Sequence, residues 1–244
     1  MERYSVVFSS STGNTKLLAD AIGEALPKEN RDYFGEIIPE VPESEMLYVG
    51  FWTDRGNADK TALEFLQRLK NKKVFLFGTA GFGGSEDYFK KILANAESAL
   101  DGSNTVAGEF MCQGKMPQAV RERYMSMKAQ PNPPANLDML IENFDRALSH
   151  PDAEDLERLK KTVLKRRSKS RKDDSMNKIY ELSWLWKSLG IALAAAAVAV
   201  ALAALICRAA KKKLGKKAAV IIGIAAFAIA VIIVILLSND PMPI

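Results

Sequence analysis

The chain has 244 residues, more than the ~100 to 200 of one typical domain, so we expect it to be divided. Residues 1–150 hold 17 Lys and Arg and 21 Asp and Glu, net −4, whereas residues 151–244 hold 17 and 8, net +9. The basic residues of the second part cluster at 165–187 and 208–217, beside apolar runs, which favours membrane flanks over nucleic-acid binding. An apolar content of 48% and two widely separated cysteines exclude a disordered chain and a disulfide framework.

The first predicted element is a strand at residues 4–8, a short apolar run that contains two valines. It ends in the hydroxyl-rich turn 9–15, which reads Ser-Ser-Ser-Thr-Gly-Asn-Thr. Apolar residues then recur at three- and four-residue spacing, which predicts a helix with one buried face: Leu18, Ala21, Ile22, Ala25 and Leu26. Strand, loop and helix in this order predict the opening of a βαβ unit.

Further strands and helices alternate along the next part of the chain. Strands are predicted at 46–52, 73–78 and 105–111, with a weak one at 33–38 that Pro39 ends. The helical patterns lie at 60–69, 86–100 and 136–148. Alternation of this kind predicts an α/β fold in which a parallel sheet is covered on both faces.

An insertion at 112–135 precedes the last of these helices and contains a predicted short helix at 118–127. Its Cys112 is open to two interpretations, a redox thiol or a buried packing residue, and the lack of a second nearby Cys favours packing. Another helix is expected to begin at 149–152, where Ser149 is followed three residues later by Asp152, and to run to about residue 167. His150 receives no catalytic role.

Two uncharged apolar segments follow, at 189–207 and 218–237, and their 19 and 20 residues are each enough to cross ~30 Å of hydrocarbon as a helix. The first is rich in alanine, so a soluble or interfacial helix is its alternative. Tyr180, Trp184 and Trp186 precede it, as in an aromatic belt at a membrane surface.

The topology of these segments stays open. The N-terminus has no secretory signal, so we expect residues 1 to about 165 to remain cytoplasmic. Two spans would place the six basic residues of 208–217 outside, against the positive-inside tendency, whereas a single span at 218–237 would keep them inside. We predict the two-helix hairpin, with the single span as the alternative. The predicted parts are an α/β domain at 1–167, a basic juxtamembrane linker at 168–187, a transmembrane hairpin at 188–238 and a tail at 239–244.

The turn at 9–15 carries the clearest chemistry. A phosphate placed where a strand passes into a helix meets free backbone N–H groups and the positive end of the helix dipole. The turn holds no Lys or Arg, and neither the Gly-Lys-Ser/Thr of a nucleoside triphosphate loop nor the G-x-G-x-x-G of a dinucleotide site occurs. This neutral, hydroxyl-lined turn therefore favours a single terminal phosphate over a capped turn without a ligand.

The run Ser10-Ser11-Thr12-Gly13-Asn14-Thr15 resembles the FMN phosphate loop of the flavodoxin family, whose pattern is [S/T]-x-T-G-N-T. The resemblance covers residues 3–165 and implies that family's doubly wound five-stranded parallel sheet, order 2-1-3-4-5, with FMN at the switch point. It also implies that Ser10, Thr12, Asn14 and Thr15 hold the ribityl phosphate, within a loop completed by Ser11 and Gly13.

The family's other two flavin loops follow its third and fourth strands, which here end near Trp52 and Gly78. The resemblance therefore adds these candidate cofactor-binding residues: Trp52, Thr53, Thr79, Ala80, Gly81 and Phe82. Trp52 and Phe82 are the candidates for contact with the flavin ring, and the alternatives are a strand-end core residue and a loop anchor. Tyr88 is a further stacking candidate, although its spacing with Ile92 favours a helix face.

The resemblance implies an FMN-containing electron carrier, and the apolar segments together with the lack of a secretory signal predict that it is anchored at the cell membrane with its flavodoxin domain in the cytoplasm. Its expected partners are the lipid bilayer and donor and acceptor redox proteins, among them a reductase near the membrane, and nucleic acid is not expected. The segments Gly-Thr-Ala-Gly-Phe-Gly and Cys-Gln-Gly-Lys-Met are similar to those of accessory flavodoxins that serve anaerobic reductases, including reductases of tetrapyrrole pigments. The alternatives are an NAD(P)H-dependent FMN oxidoreductase of the quinone reductase type and a scaffold without cofactor. No Cys/His cluster indicates a metal site.

Overall fold

A computed structural model describes residues 2–83 and 85–209 of the chain, together with scattered positions between 218 and 232. The chain divides into two compact units, Met1–Lys169 and Ser170–Ile244. The first unit contains all the strands described.

The strands of the first unit are β1 Tyr4–Phe8, β2 Arg31–Glu36, β3 Met46–Asp54, β4 Asn57–Ala58, β5 Lys73–Ala80 and β6 Thr105–Gln113. Five of them pair in parallel in the spatial order β2-β1-β3-β5-β6, and the short β4 pairs antiparallel with β3. The predicted five-stranded parallel sheet is thus confirmed, since its order is 2-1-3-4-5 when the parallel strands alone are numbered. β3 runs two residues beyond its predicted end because Thr53 and Asp54 pair with Ala58 and Asn57.

The helices are α1 Asn14–Ala25, α2 Lys60–Leu66, α3 Glu86–Glu97, α4 Gln118–Lys128, α5 Leu137–Ala147 and α6 Ala153–Ala209. They cover the sheet on both faces. On one face Leu18 and Ile22 of α1 and Leu159 of α6 are fully buried against β1 and β3. On the other face Phe65 of α2 and Ile92 of α3 are fully buried in a second core cluster. Burial on both faces explains why β3 and β5 are continuous apolar runs.

The last helix is much longer than predicted. We expected it to end near residue 167, but α6 continues to Ala209, and residues 168–187 of the predicted linker lie within it. The physical reason is composition, because 153–209 contains no proline and one glycine, and Lys, Arg, Ala and Leu are good helix formers.

The start of α6 also differs in detail from the prediction. Asp152 Oδ1 accepts a hydrogen bond from the backbone N–H of Asp155 at 2.8 Å, and Asp155 Oδ2 accepts one from the N–H of Asp152 at 3.2 Å. His150 Nδ1 lies 2.6 Å from the same Asp155 oxygen. Burial raises the pKa of Asp155, but the hydrogen bonds from His150 and Arg158 outweigh it and leave that pKa below its usual range. The cap is therefore the pair Asp152 and Asp155, which satisfies two helix-end donors, and not the predicted pair Ser149 and Asp152.

In the part of the chain that the structure describes, none of the helices has the length and apolar character needed to cross a membrane. The first predicted span, 189–207, falls within α6. Most of the second, 218–237, and the tail at 239–244 lie outside the described residues. The described residues thus give the predicted transmembrane hairpin no support.

A half-buried ion pair joins α6 to the start of the sheet. The two terminal nitrogens of Arg166 donate to the two carboxylate oxygens of Glu2 at 2.8 and 2.9 Å, and the Arg166 side chain is only 10% exposed. Burial raises the pKa of Tyr48 to about 12 and outweighs the nearby Arg166 guanidinium, which lowers that pKa. Because the guanidinium fork matches the carboxylate, this contact fixes the helix against β1.

We expect Arg166→Met to lower the free energy of unfolding by roughly 1.5 to 3 kcal/mol, because it removes the two hydrogen bonds to the partly buried Glu2 carboxylate and leaves it only the longer pair with Lys73 at 3.8 Å. Urea unfolding measures the loss. Lys60→Met is the control, since Lys60 and Glu64 form an exposed pair, with side chains 88% and 63% exposed, that contributes about 0.5 kcal/mol or less. Equal losses in the two variants would contradict the role of Arg166.

Candidate functional site

Three loops meet at one edge of the sheet, because the strands they follow, β1, β3 and β5, are parallel and end there. The buried hydroxyl of Thr15, in the first turn of α1, connects them. It donates to the carbonyl oxygen of Phe51 in β3 at 3.3 Å and lies 3.3 Å from the hydroxyl of Thr79 in β5. The structure therefore brings the three predicted flavin loops together, with Thr15 between them.

The first loop lies open at the N-terminus of α1. Gly13 occupies the position before the helix with φ 84°, a conformation that favours glycine, and apart from its chain neighbours no heavy atom lies within 4 Å of where its Cβ would be. Ser11, Thr12 and Gly13 are exposed, and the hydroxyl of Ser10 accepts from the backbone N–H of Lys16 at 3.3 Å. No acidic residue lies in the first turn of α1, so the positive end of its dipole is unopposed there.

Asn14 organises this loop and does not point freely into it. Its side-chain amide nitrogen donates to the hydroxyl of Thr12 and to the carbonyl oxygen of Lys115, both at 2.8 Å. Gly114 allows this approach, because a Cβ there would lie 2.7 Å from that nitrogen. The carbonyl oxygen of the Asn14 side chain is buried and has no partner among the described residues.

The second loop is a tight hairpin between β3 and β4. Arg55 and Gly56 form its turn with φ values of 50° and 81°, which match the right-handed twist of paired strands. Trp52 is half-buried, and its carbonyl oxygen accepts from the backbone N–H of Asp59 at 3.0 Å. The hydroxyl of Thr53 is buried and, within the described part of the chain, has no hydrogen-bond partner.

The third loop follows β5 and presents one aromatic residue to solvent. Thr79 and Ala80 are buried, at 3% and 2% exposure, so they form the base of the loop. Phe82 is 41% exposed, and its ring meets the ring of Tyr88 edge-on at 6.1 Å between centroids. Tyr88 itself packs against the second core cluster, so it supports Phe82, as its predicted position on a helix face suggests.

Sequence reasoning missed the polar groups behind the third loop. The carbonyl oxygen of Gly81 accepts from the side-chain amide of Asn143 at 3.0 Å and from that of Gln113 at 3.3 Å. Gln113 ends β6 and was therefore within reach of prediction, because parallel strands end at the same edge. Asn143 lies in an ordinary amphipathic helix, and no sequence signal distinguishes it.

The thiol of Cys112 supports the packing interpretation. Its side chain belongs to the first core cluster and is 1% exposed. Burial, followed by the nearby Asp155 carboxylate, raises the pKa of Cys112 far above its ordinary value. A thiol that stays protonated is a poor nucleophile and a poor redox group.

These loops fit FMN in three respects. The exposed Thr12 and the helix N-terminus offer donors to a phosphate, and the open space beside Gly13 admits it. The unpartnered buried oxygens of Asn14 and Thr53 lie in the first and second loops, where a polar ligand or water would satisfy them. Trp52 and Phe82 offer partly exposed aromatic faces for a flat ring.

We expect Thr12→Ala and Asn14→Ala each to weaken FMN binding by ~1 to 3 kcal/mol, because each removes part of the hydrogen-bonded phosphate loop. Titration of the apoprotein with FMN, followed by flavin fluorescence, measures the loss. Ser98→Ala is the control. Ser98 lies just beyond the end of α3, and its hydroxyl donates only to the nearby carbonyl oxygen of Asn95. Unchanged affinity in both loop variants would place the phosphate elsewhere.

The model of the Flavodoxin domain family matches residues 5–164. A flavodoxin-like domain-containing protein, BilS, of Clostridium symbiosum is 39% identical over 172 residues, which cover 63% of this chain and 90% of that protein. The crystal structure of oxidised flavodoxin 2 from Bacillus cereus aligns with a TM-score of 0.45 and 16% identity over 68% of this chain and 99% of its own. A flavoprotein from Lactobacillus acidophilus in complex with FMN aligns with a TM-score of 0.37 and 14% identity over 46% and 94%. The chain belongs to the flavodoxin domain family.

Proposed function

We propose that the protein is a membrane-anchored, FMN-dependent electron carrier that supplies electrons to a partner reductase. The observation that carries this proposal is the meeting of the three loops at the carboxyl edge of the sheet, with an open phosphate loop at the N-terminus of α1. FMN is the cofactor of flavodoxin-fold relatives such as the L. acidophilus flavoprotein.

Bound FMN supplies redox chemistry in one- and two-electron steps. In this proposal the hydroxyls of Ser10 and Thr12 and the backbone N–H groups of 11–15 hold its phosphate. Asn14 acts indirectly, because its amide nitrogen is already bonded to Thr12 and Lys115 and holds the loop in its conformation. The hydroxyl of Thr15 is likewise committed to the strand ends.

The second and third loops would enclose the ring. Trp52 and Phe82 exclude water from its faces, and a low-polarity surrounding disfavours additional negative charge on it. The buried hydroxyl of Thr53 is free to donate to a ring acceptor. Thr79, Ala80 and Gly81 supply the base of the third loop and leave its outer part to Phe82.

The sequence supports the membrane anchor and the partner near it. The runs 189–207 and 218–237 carry no charge, and in the single-span topology, in which only 218–237 crosses, the basic residues of 165–187 and 208–217 stay on the cytoplasmic side. A tether restricts the carrier to a shell near the bilayer and raises its effective concentration for a reductase at the same surface. The flavin domain would then face the cytoplasm.

Anaerobic titration of the flavin-loaded protein separates a carrier from an oxidoreductase. Dithionite is expected to reduce the flavin in two resolved one-electron steps, and NADPH alone is expected to leave its visible spectrum unchanged, because the sequence has no dinucleotide motif. Rapid bleaching by NADPH would instead establish an NAD(P)H-dependent oxidoreductase.

Deletion of residues 170–244 tests the anchor. The remaining unit, Met1–Lys169, holds all three loops and the Arg166 contact, so we expect a soluble yellow protein with an unchanged flavin spectrum. The full chain is expected to sediment with membranes in the same lysate. A full chain that stays in the supernatant would contradict anchoring, and a colourless truncated protein would show that the deleted part shapes the site.

A further inference from the structure

The buried side-chain amide of Asn143 bonds to the third loop at two points. The side-chain nitrogen of Asn143 donates to the carbonyl oxygen of Gly81 at 3.0 Å, and its side-chain oxygen accepts from the backbone N–H of Gly83 at 3.3 Å. Asn143 is 3% exposed. One side chain thus grips the backbone on both sides of Phe82, the exposed aromatic residue of the loop.

Gln113 completes this arrangement. Its side-chain nitrogen donates to the side-chain oxygen of Asn143 at 3.1 Å and to the carbonyl oxygen of Gly81 at 3.3 Å. Because Gln113 donates to Asn143, the Asn143 side-chain oxygen must face Gln113. The Asn143 side-chain nitrogen then faces the carbonyl oxygen of Gly81. The N–H of Gly114 donates to the carbonyl oxygen of Ala80 at 3.0 Å and closes the base of the loop.

The insertion predicted at 112–135 contains a helix that packs beside the helix of Asn143. Its helix α4 buries no residue of its own, so it adds little to the core. It packs beside α5, the helix that carries Asn143, and Arg121 Nε of α4 donates to Asp145 Oδ1 of α5 at 2.9 Å. The insertion therefore braces the helix that grips the third loop.

We propose that Asn143 is a positioning residue for the cofactor: it fixes the peptide groups at Gly81 and Gly83, and with them the placement of Phe82 against the flavin ring. This rests on the proposed function, since it requires bound FMN. A loop held at two points cannot reorient freely when the charge of the ring changes. Asn143 therefore acts on both the affinity for FMN and the separation of its two one-electron potentials.

Asn143→Asp tests this with little change of shape. The variant keeps the acceptor for Gly83 but replaces the donor to Gly81 with a carboxylate oxygen that repels that carbonyl, which then keeps only the longer bond from Gln113 at 3.3 Å. In the full-length protein purified in detergent, we expect FMN affinity to fall about tenfold or more, on the scale of one lost buried hydrogen bond. We also expect the two midpoint potentials to change their separation in a spectroelectrochemical titration.

Asn104→Asp is the matched control, because Asn104 makes a similar bracket at the opposite edge of the sheet. Its side-chain nitrogen donates to the carbonyl oxygens of Leu69 and Asp101 at 2.8 and 2.9 Å, and its side-chain oxygen accepts from the N–H of Lys72 at 3.0 Å. This variant is expected to lose stability but to keep both potentials and the FMN affinity. Gln113→Met leaves the bonds of Asn143 to the loop in place. It is expected to change the FMN affinity and the separation of the potentials in the same direction as Asn143→Asp, but by less. It replaces Asn143→Asp as the test if that variant does not fold.

The outcomes separate this inference from the function on which it rests. A wild-type protein that binds FMN, with potentials that neither Asn143→Asp nor Gln113→Met moves beyond the Asn104→Asp control, would overturn the role of Asn143 alone. A wild-type protein that binds no FMN would overturn the proposed function, and this inference with it.

Discussion

The site depends on one constraint, namely that the carboxyl ends of parallel strands lie at a single edge of the sheet. The buried hydroxyl of Thr15 makes that edge a unit, because it connects α1 with the ends of β3 and β5. Three ligand-facing features surround Thr15. They are the open N-terminus of α1, the tight hairpin between β3 and β4, and the loop after β5 that carries Phe82. Removing the parallel order would separate these parts even if each kept its local shape.

Much of this could be predicted from the sequence because it rests on local signals. The hydroxyl-rich turn with Gly13 lies between an apolar strand and an amphipathic helix, so both the turn and its strand-to-helix context could be predicted. β2 was the weakest of the strand predictions, and its side chains are only half-buried, which explains its weak apolar pattern. Strand ends were set by cross-strand pairing, as at Thr53 and Asp54, and pairing is not a local property.

Other features depend on contacts between distant residues and left no pattern to read. Asn143 meets Gly81 across 62 positions of sequence, and Asn14 meets Lys115 across 101. A charged stretch such as 168–187 can equally be a solvated linker or a helix, because good helix formers are also good surface residues. The cap at Asp152 and Asp155 lies three residues beyond the predicted pair, and which of two such pairs forms depends on where the preceding chain enters the helix.

The contact between Arg166 and Glu2 has a mechanical consequence. Glu2 precedes β1, so the contact lies at the amino edge of the sheet, whereas the three loops lie at the carboxyl edge. Part of a force applied through α6 would therefore enter the sheet along β1 and be resisted by the hydrogen bonds of β1 to both neighbouring strands. A protein pulled from its C-terminal side can bear part of that load in an interior strand, at the edge of the sheet away from the loops.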